Sequence, residues 1–145
     1  MRIESLMTTE NEVIDSISSK LEEMGYEIKS KCSTSERGID LHAIKNEVEL
    51  LIEAKGGTTS KDTSRKGKPF NSSQVKDHVA MAILKAMQLK QKHPKSKICI
   101  ALPSDEKHKR VIETVMLSLK SLDVTVIWSD GQDVTIDQNQ DNPIN

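Results

Sequence analysis

The stretch Leu50-Leu51-Ile52-Glu53-Ala54-Lys55 runs three aliphatic residues into a carboxylate and an ammonium two positions apart, and then into Gly56-Gly57. An apolar run closed by a glycine pair reads as a buried strand that ends at a sheet edge, where the backbone turns away. Ionised side chains at the end of such a strand need a partner or a task.

Just before it, Gly38-Ile39-Asp40-Leu41-His42-Ala43-Ile44 reads as another strand, and Lys45 to Glu47 is too short for anything but a tight turn, so the two strands form a hairpin. With Asn46-Glu47 as the two-residue loop, Asp40 lies opposite Glu53. Ile39, Leu41 and Ala43 then share one apolar face with Val48, Leu50, Ile52 and Ala54, while Asp40 shares the other with Glu53 and Lys55. Opposed residues have Cβ atoms about 4.5–5.5 Å apart, close enough for two carboxylates to hold one divalent cation. Without a cation the pair repels.

Thr9-Glu10-Asn11-Glu12 matches the capping box T-x-x-E, and Ile14, Ile17, Leu21 and Met24 recur at helical spacing, which predicts a first helix ending at Gly25. The box explains Glu12 but not Glu10, which stands at the head of the core-facing stripe. Tyr26 to Cys32 alternates and reads as an edge strand. Gly56 to Ser73 is a long basic loop carrying Lys61, Arg65, Lys66 and Lys68, a length that favours contact with substrate. Ser72 or Ser73 caps a second helix from about Gln74 to Lys92, with Val75, Val79, Ala82, Ile83 and Ala86 inward and Lys85, Lys90 and Lys92 on the other face. A fourth strand from Lys97 to Leu102, a third helix from about Glu106 to Leu122 and a fifth strand from Val124 to Trp128 form a right-handed crossover. His93 and His108 read as surface residues at helix ends. Residues 130–145 read as a polar acidic tail, in which Val134-Thr135-Ile136 can add a short strand.

The length of 145 residues predicts a single domain, 1–145, with its core over about 8–129. No apolar run approaches the roughly 18 residues of a membrane span, and the first residues lack a secretory h-region, so a soluble, cytoplasmic protein without membrane contact is expected. Cys32 and Cys99 are isolated, which argues against structural zinc. Only Tyr26, Phe70 and Trp128 are aromatic, too few for a platform that stacks a run of bases. The net charge of −1 hides a segregation: residues 1–54 carry 6 basic against 12 acidic side chains, 55–97 carry 11 against 2, and 98–145 carry 4 against 8. A basic centre on a chain that is not basic overall fits a local phosphate-binding face.

The order helix, three strands, helix, strand, helix, strand, with Asp on the second strand and Glu-x-Lys on the third, resembles the PD-(D/E)xK nuclease superfamily over roughly Thr8 to Trp128. Its signature stands here as Gly38-Ile39-Asp40, twelve intervening residues and Glu53-Ala54-Lys55, with Ile39 in place of the proline. The resemblance implies an α/β, three-layer, restriction-endonuclease-like fold: an αβββαβ core with a further helix and strand, its mixed sheet flanked by helices. It implies a metal-dependent deoxyribonuclease of repair, recombination or restriction, with Mg²⁺ or Mn²⁺ as cofactor, DNA as partner and a homodimer as the working form. It also implies a catalytic glutamate in the first helix, matched by Glu10, and in one large branch a Gln-x-x-x-Tyr on the helix after the third strand. Here that motif is Gln74-Val75-Lys76-Asp77-His78, with His78 at the tyrosine position.

The chemistry explains these residue types without a family. Hydrolysing a phosphodiester adds hydroxide to an anion, so the site needs cations that neutralise the non-bridging oxygens and lower the pKa of a water. Asp40 and Glu53 offer hard oxygen ligands for Mg²⁺, and Lys55, about 6.6–6.8 Å along the strand from Glu53, can orient the attacking water or steady the growing charge. The Ala54 carbonyl completes the shell by analogy with the family. Gln74, a candidate catalytic residue, and His78 lie one helical turn apart and can hold substrate or the nucleophile, and Lys76 joins the loop cations as a DNA contact. The bland alternative makes Glu53 and Lys55 a surface pair worth under about 1 kcal/mol, and the chain a non-catalytic nucleic-acid-binding module.

Overall fold

Helix α1 (Glu10–Glu23) starts where the capping box puts it: the Thr9 hydroxyl accepts from the Glu12 amide at 3.2 Å, and Glu12 Oε1 accepts from the Thr9 amide at 2.8 Å. In the computed structural model, which describes residues 8–31, 39–58, 69–137 and 144, α1 is followed by β1 (Glu27–Lys31), β2 (Leu41–Lys45), β3 (Val48–Ala54), α2 (Ser72–Lys92), β4 (Lys97–Pro103), α3 (Glu106–Glu113), α4 (Met116–Ser121), β5 (Val124–Ser129) and β6 (Val134–Asp137). The loop cations Lys61, Arg65, Lys66 and Lys68 lie outside the described residues, as do Cys32 and Gly38.

The six strands form one mixed sheet in the order β1-β2-β3-β4-β5-β6. β1, β2 and β3 are antiparallel neighbours, β3, β4 and β5 run parallel, and β6 returns antiparallel on β5. Side chains alternate across the sheet and sort into two cores. Leu50, Ile52 and Ala54 of β3 join Cys99, Ala101 and Ile127 under α1, whose Val13, Ile14, Ile17 and Leu21 cover them. Leu51, Ile98, Ile100, Val126 and Trp128 point the other way, onto Val75, Val79, Ala82 and Ala86 of α2 and onto Ile112 and Leu119 of α3 and α4. Every residue of β4 and β5 is buried because helices cover both faces, as parallel strands require. The result is the expected α/β three-layer architecture with its αβββαβ order.

The hairpin has the expected register. Leu41 pairs with Ile52, His42 with Leu51 and Lys45 with Val48, around a turn whose Asn46 takes a φ of 55°. Two details of the hairpin differ. The ladder begins only at Leu41, so Asp40 sits at a bend just before β2, and Lys55 lies just past the end of β3. Strict alternation therefore stops at Asp40, and Ile39 packs against the α2-side core rather than beside Leu41.

Elsewhere, three expectations are corrected. The N-cap of α2 is Asn71, not Ser72 or Ser73: Asn71 Oδ1 accepts from the Gln74 amide and Gln74 Oε1 accepts from the Asn71 amide, both at 2.9 Å. The third helix is two, broken after Thr114, whose hydroxyl turns back to the Val111 carbonyl at 2.6 Å while Val115 leaves helical geometry at φ −129°. β-Branched neighbours with a competing hydroxyl make a weak point in a helix. The chain after Ser129 is also not wholly a frayed tail. β6 pairs with β5 over Val134 to Asp137, and Ile144 is buried against the α1-side core, its carbonyl accepting from the Tyr26 hydroxyl.

One close approach fixes α1 against the end of β3. A Cβ on Gly56 would lie 2.3 Å from the Glu10 nitrogen and 2.7 Å from the Thr9 carbonyl carbon, and the Gly57 amide donates to the Thr8 carbonyl at 2.7 Å. Only glycine fits that contact. We expect Gly56→Ala to lower stability by about 1–3 kcal/mol, the usual cost of overpacking against a backbone that cannot yield. Urea unfolding checks this, and an unchanged midpoint would contradict the contact.

Candidate functional site

The end of β3, the start of α1 and the middle of α2 enclose a cavity of about 400 Å³ lined by Glu10, Asp40, Glu53, Lys55, Lys85 and the α2 residues Met81, Leu84 and Gln88. Local folding explains each placement. Register puts Glu53 on the α2 side of β3, opposite to Ile52 and Ala54, while the Gly56 contact draws the head of α1 alongside and brings in Glu10. Asp40 is held by the Ala54 amide, which donates to its Oδ2 at 2.8 Å. The N–H and C=O of one strand residue point to the same side, so the Ala54 carbonyl faces the edge on which Asp40 lies. The next amide, of Lys55, donates the other way to Ala101 of β4 at 3.0 Å.

Electrostatics in the cavity are dominated by burial of like charges. Glu53 is 8% exposed, and burial pushes its carboxyl up to about 8, with the Asp40 charge acting in the same direction. The Asp40 carboxyl is raised too, by burial, against the opposing effects of the Ala54 amide, the Glu53 side chain, Lys55 and Lys85. The two carboxyl groups act on one another's charge, so the pair ionises in two steps. Glu10 is raised by burial and then by Asp40. Lys55 Nζ stands 3.7 Å from Glu53 Oε2, an ion pair with both side chains largely covered rather than a surface pair.

Of the residues expected at the site, Glu10, Asp40, Glu53 and Lys55 come together, with the Ala54 backbone beside them. Gln74 does not join the cavity lining: its side chain closes the α2 capping box. The spacing Asn71-x-x-Gln74 carries that signal in the sequence. His78 packs its ring edge against Phe70, centroids 4.5 Å apart, and its imidazole is held below the usual range by burial and then by the charge of Lys55, so it lies on the Lys55 side of α2. Lys76 is exposed on α2, away from the cavity lining. Lys85, which the helical pattern turns outward, lines the cavity and acts on Asp40. It sits beside Ala86 at the margin of the apolar stripe, where a long side chain can reach either way.

The raised carboxyl groups set a pH dependence with a definite sign. In the metal-free protein the native state keeps the Glu53 proton up to about pH 8, while the unfolded chain loses it near 4.5. Between those values the native state binds more protons, so stability falls as pH rises. In chelator, the urea midpoint is expected to be lower at pH 8 than at pH 5, and Glu53→Gln should flatten that slope. A wild-type midpoint independent of pH would mean that the pair is not buried as described.

Among the described residues, no helix is long and apolar enough to cross a membrane. The chain matches no protein-family model and no curated protein. Its fold is similar to the crystal structure of an XisH family protein from Nostoc punctiforme PCC 73102, with a TM-score of 0.50 and 15% sequence identity over 82% of this chain and 91% of that chain. At that identity the likeness is one of fold.

Proposed function

We propose that this chain is a divalent-metal-dependent deoxyribonuclease of the PD-(D/E)xK type, hydrolysing phosphodiester bonds of DNA. The observation that carries the reading is the convergence of Asp40, Glu53 and Lys55 in one cavity with Glu10 beside them. A buried and a half-buried carboxyl group, both raised above their usual range, have a use in a site where a cation takes the place of a proton. The donors would be hard oxygens from two carboxylates, joined by the Ala54 carbonyl, and the described residues of the lining include no imidazole or thiolate, a set that suits Mg²⁺ or Mn²⁺. Among the described residues no three of His, Cys, Asp and Glu lie close enough to hold a metal by side chains alone. That agrees with a cation bound through one or two carboxylates and several waters.

When bound, the cation supplies charge neutralisation at the phosphate and a more acidic water. Asp40 and Glu53 hold it, and Asp40 is itself oriented by the Ala54 amide. Lys55 orients the attacking water or steadies the charge that builds on phosphorus. Lys85, on the α2 wall, offers a second ammonium to a phosphate oxygen. Glu10, which keeps its proton to higher pH than usual, can donate a hydrogen bond to a water or phosphate at the same cavity.

The second reading, a non-catalytic nucleic-acid-binding module, draws on the proton that Glu53 keeps to about pH 8, which relieves the repulsion of the pair without a cation. Cleavage separates the two readings. On supercoiled, linear, branched and single-stranded DNA we expect cleavage with Mg²⁺ or Mn²⁺, none in chelator, and losses of roughly a hundredfold or more for Asp40→Asn and Lys55→Ala, with folding and DNA binding retained. Tight binding without cleavage of any substrate would favour the module.

A further inference from the structure

A second cavity, of about 240 Å³, opens two residues beyond Lys55, between Gly57, Pro69, Phe70 and Val75 on one side and the Asp105–His108 turn on the other. Its apolar wall is held in place by the backbone. The Phe70 amide donates to the Gly57 carbonyl at 3.0 Å, Lys107 Nζ donates to the Phe70 carbonyl at 3.1 Å, and the His78 ring packs edge-on against the Phe70 ring. Phe70 is thus an aromatic ring anchored to Gly57, in the segment that follows β3, before any ligand arrives.

The polar side of the cavity is unusual. His108, expected at the surface, is 1% exposed. Its Nδ1 lies 2.8 Å from each oxygen of Asp105, which caps α3 by accepting from the His108 amide at 3.0 Å. A carboxylate on Nδ1 makes that nitrogen the donor and fixes the ring. Nε2 is buried and has no hydrogen-bond partner among the described residues. A buried polar atom left in that state is costly, so the ring offers one unsatisfied hydrogen-bonding atom.

These features define the chemistry of an occupant. The charge of the lining does not favour a phosphate, because the Asp105 carboxylate already caps the α3 amides and the charges of Glu106 and Lys107 oppose one another. A purely apolar group would leave Nε2 unpaired. An uncharged, flat group with apolar faces and a polar edge satisfies both walls, and an unstacked nucleobase is such a group.

We propose that this cavity receives one unstacked nucleobase of the DNA, next to the phosphodiester at Asp40, Glu53 and Lys55, with Phe70 against its face and His108 Nε2 at its edge. The inference rests on the deoxyribonuclease reading and deepens it: the preferred substrate is single-stranded, branched or frayed rather than intact duplex. One ring suffices for one base, so the scarcity of aromatic residues is no obstacle.

The test uses binding in chelator, which needs no cleavage. The wild type should bind a thymidine oligomer roughly tenfold or more tightly than an abasic oligomer of the same length, the size of a base stacked on one ring. Phe70→Ala should abolish that preference and Phe70→Tyr should keep it. His108→Gln, monitored for folding by its urea midpoint, should reduce the preference as well. Equal wild-type affinity for the two oligomers, or a preference that survives Phe70→Ala, overturns the proposal. A base preference without cleavage in Mg²⁺ or Mn²⁺ would retain the cavity and overturn the deoxyribonuclease reading instead.

Discussion

The hydrogen bond from the Ala54 amide to the Asp40 carboxylate is the interaction on which the candidate site depends. It prolongs the β2–β3 hairpin one step past its ladder and turns the Asp40 side chain toward the end of β3, where Glu53 and Lys55 emerge. Without it, the bend at Asp40 would leave the carboxylate free to swing into water, and Glu53 would be a lone buried acid. With it, two carboxyl groups are confined together in a covered place, an arrangement that costs stability above pH 4.5 in the absence of a compensating charge. The protein places both charge centres of the opposite sign, Lys55 and Lys85, at the same cavity.

Much of this was legible because it rests on short-range rules. A period of two and a two-residue loop were enough to set the pairing of β2 with β3, since a slip of one residue would have turned Leu50 and Ile52 away from α1. The capping box located α1 for the same reason: Thr9 and Glu12 find each other within one turn. The alternation reached its limit at Asp40 and Ile39, where the chain leaves the ladder and the face of a residue is set by what packs on it.

What could not be read depends on tertiary placement. Lys85 lies at the margin of the α2 stripe, and only the way α2 crosses the sheet decides that its ammonium meets Asp40 instead of water. His108 follows its N-cap by three residues, a spacing that permits contact with Asp105, but its burial comes from the way α3 packs beside α2, about which helical periodicity is silent. Gln74 is the opposite case. The Asn71-x-x-Gln74 spacing signals a capping box, and closing that box keeps Gln74 out of the cavity lining. The break between α3 and α4 had only a weak local signal in Thr114-Val115, since propensity alone rarely ends a helix.

The contact of Gly56 with the head of α1 also divides the cavity mechanically. Backbone lies against backbone between Glu10 and the segment just past Glu53 and Lys55, so these three groups form a closely packed floor. The facing wall is built differently: Met81, Leu84 and Lys85 reach across from α2 on long side chains, and Met81 and Leu84 are each 58% exposed. Any accommodation of ligands of different width therefore falls to that wall, through rotamer changes that leave the floor undisturbed. Sequence change at Met81 and Leu84 on the outer face of α2 can thus alter the width of the cavity without touching the contact that holds Glu10 beside Glu53.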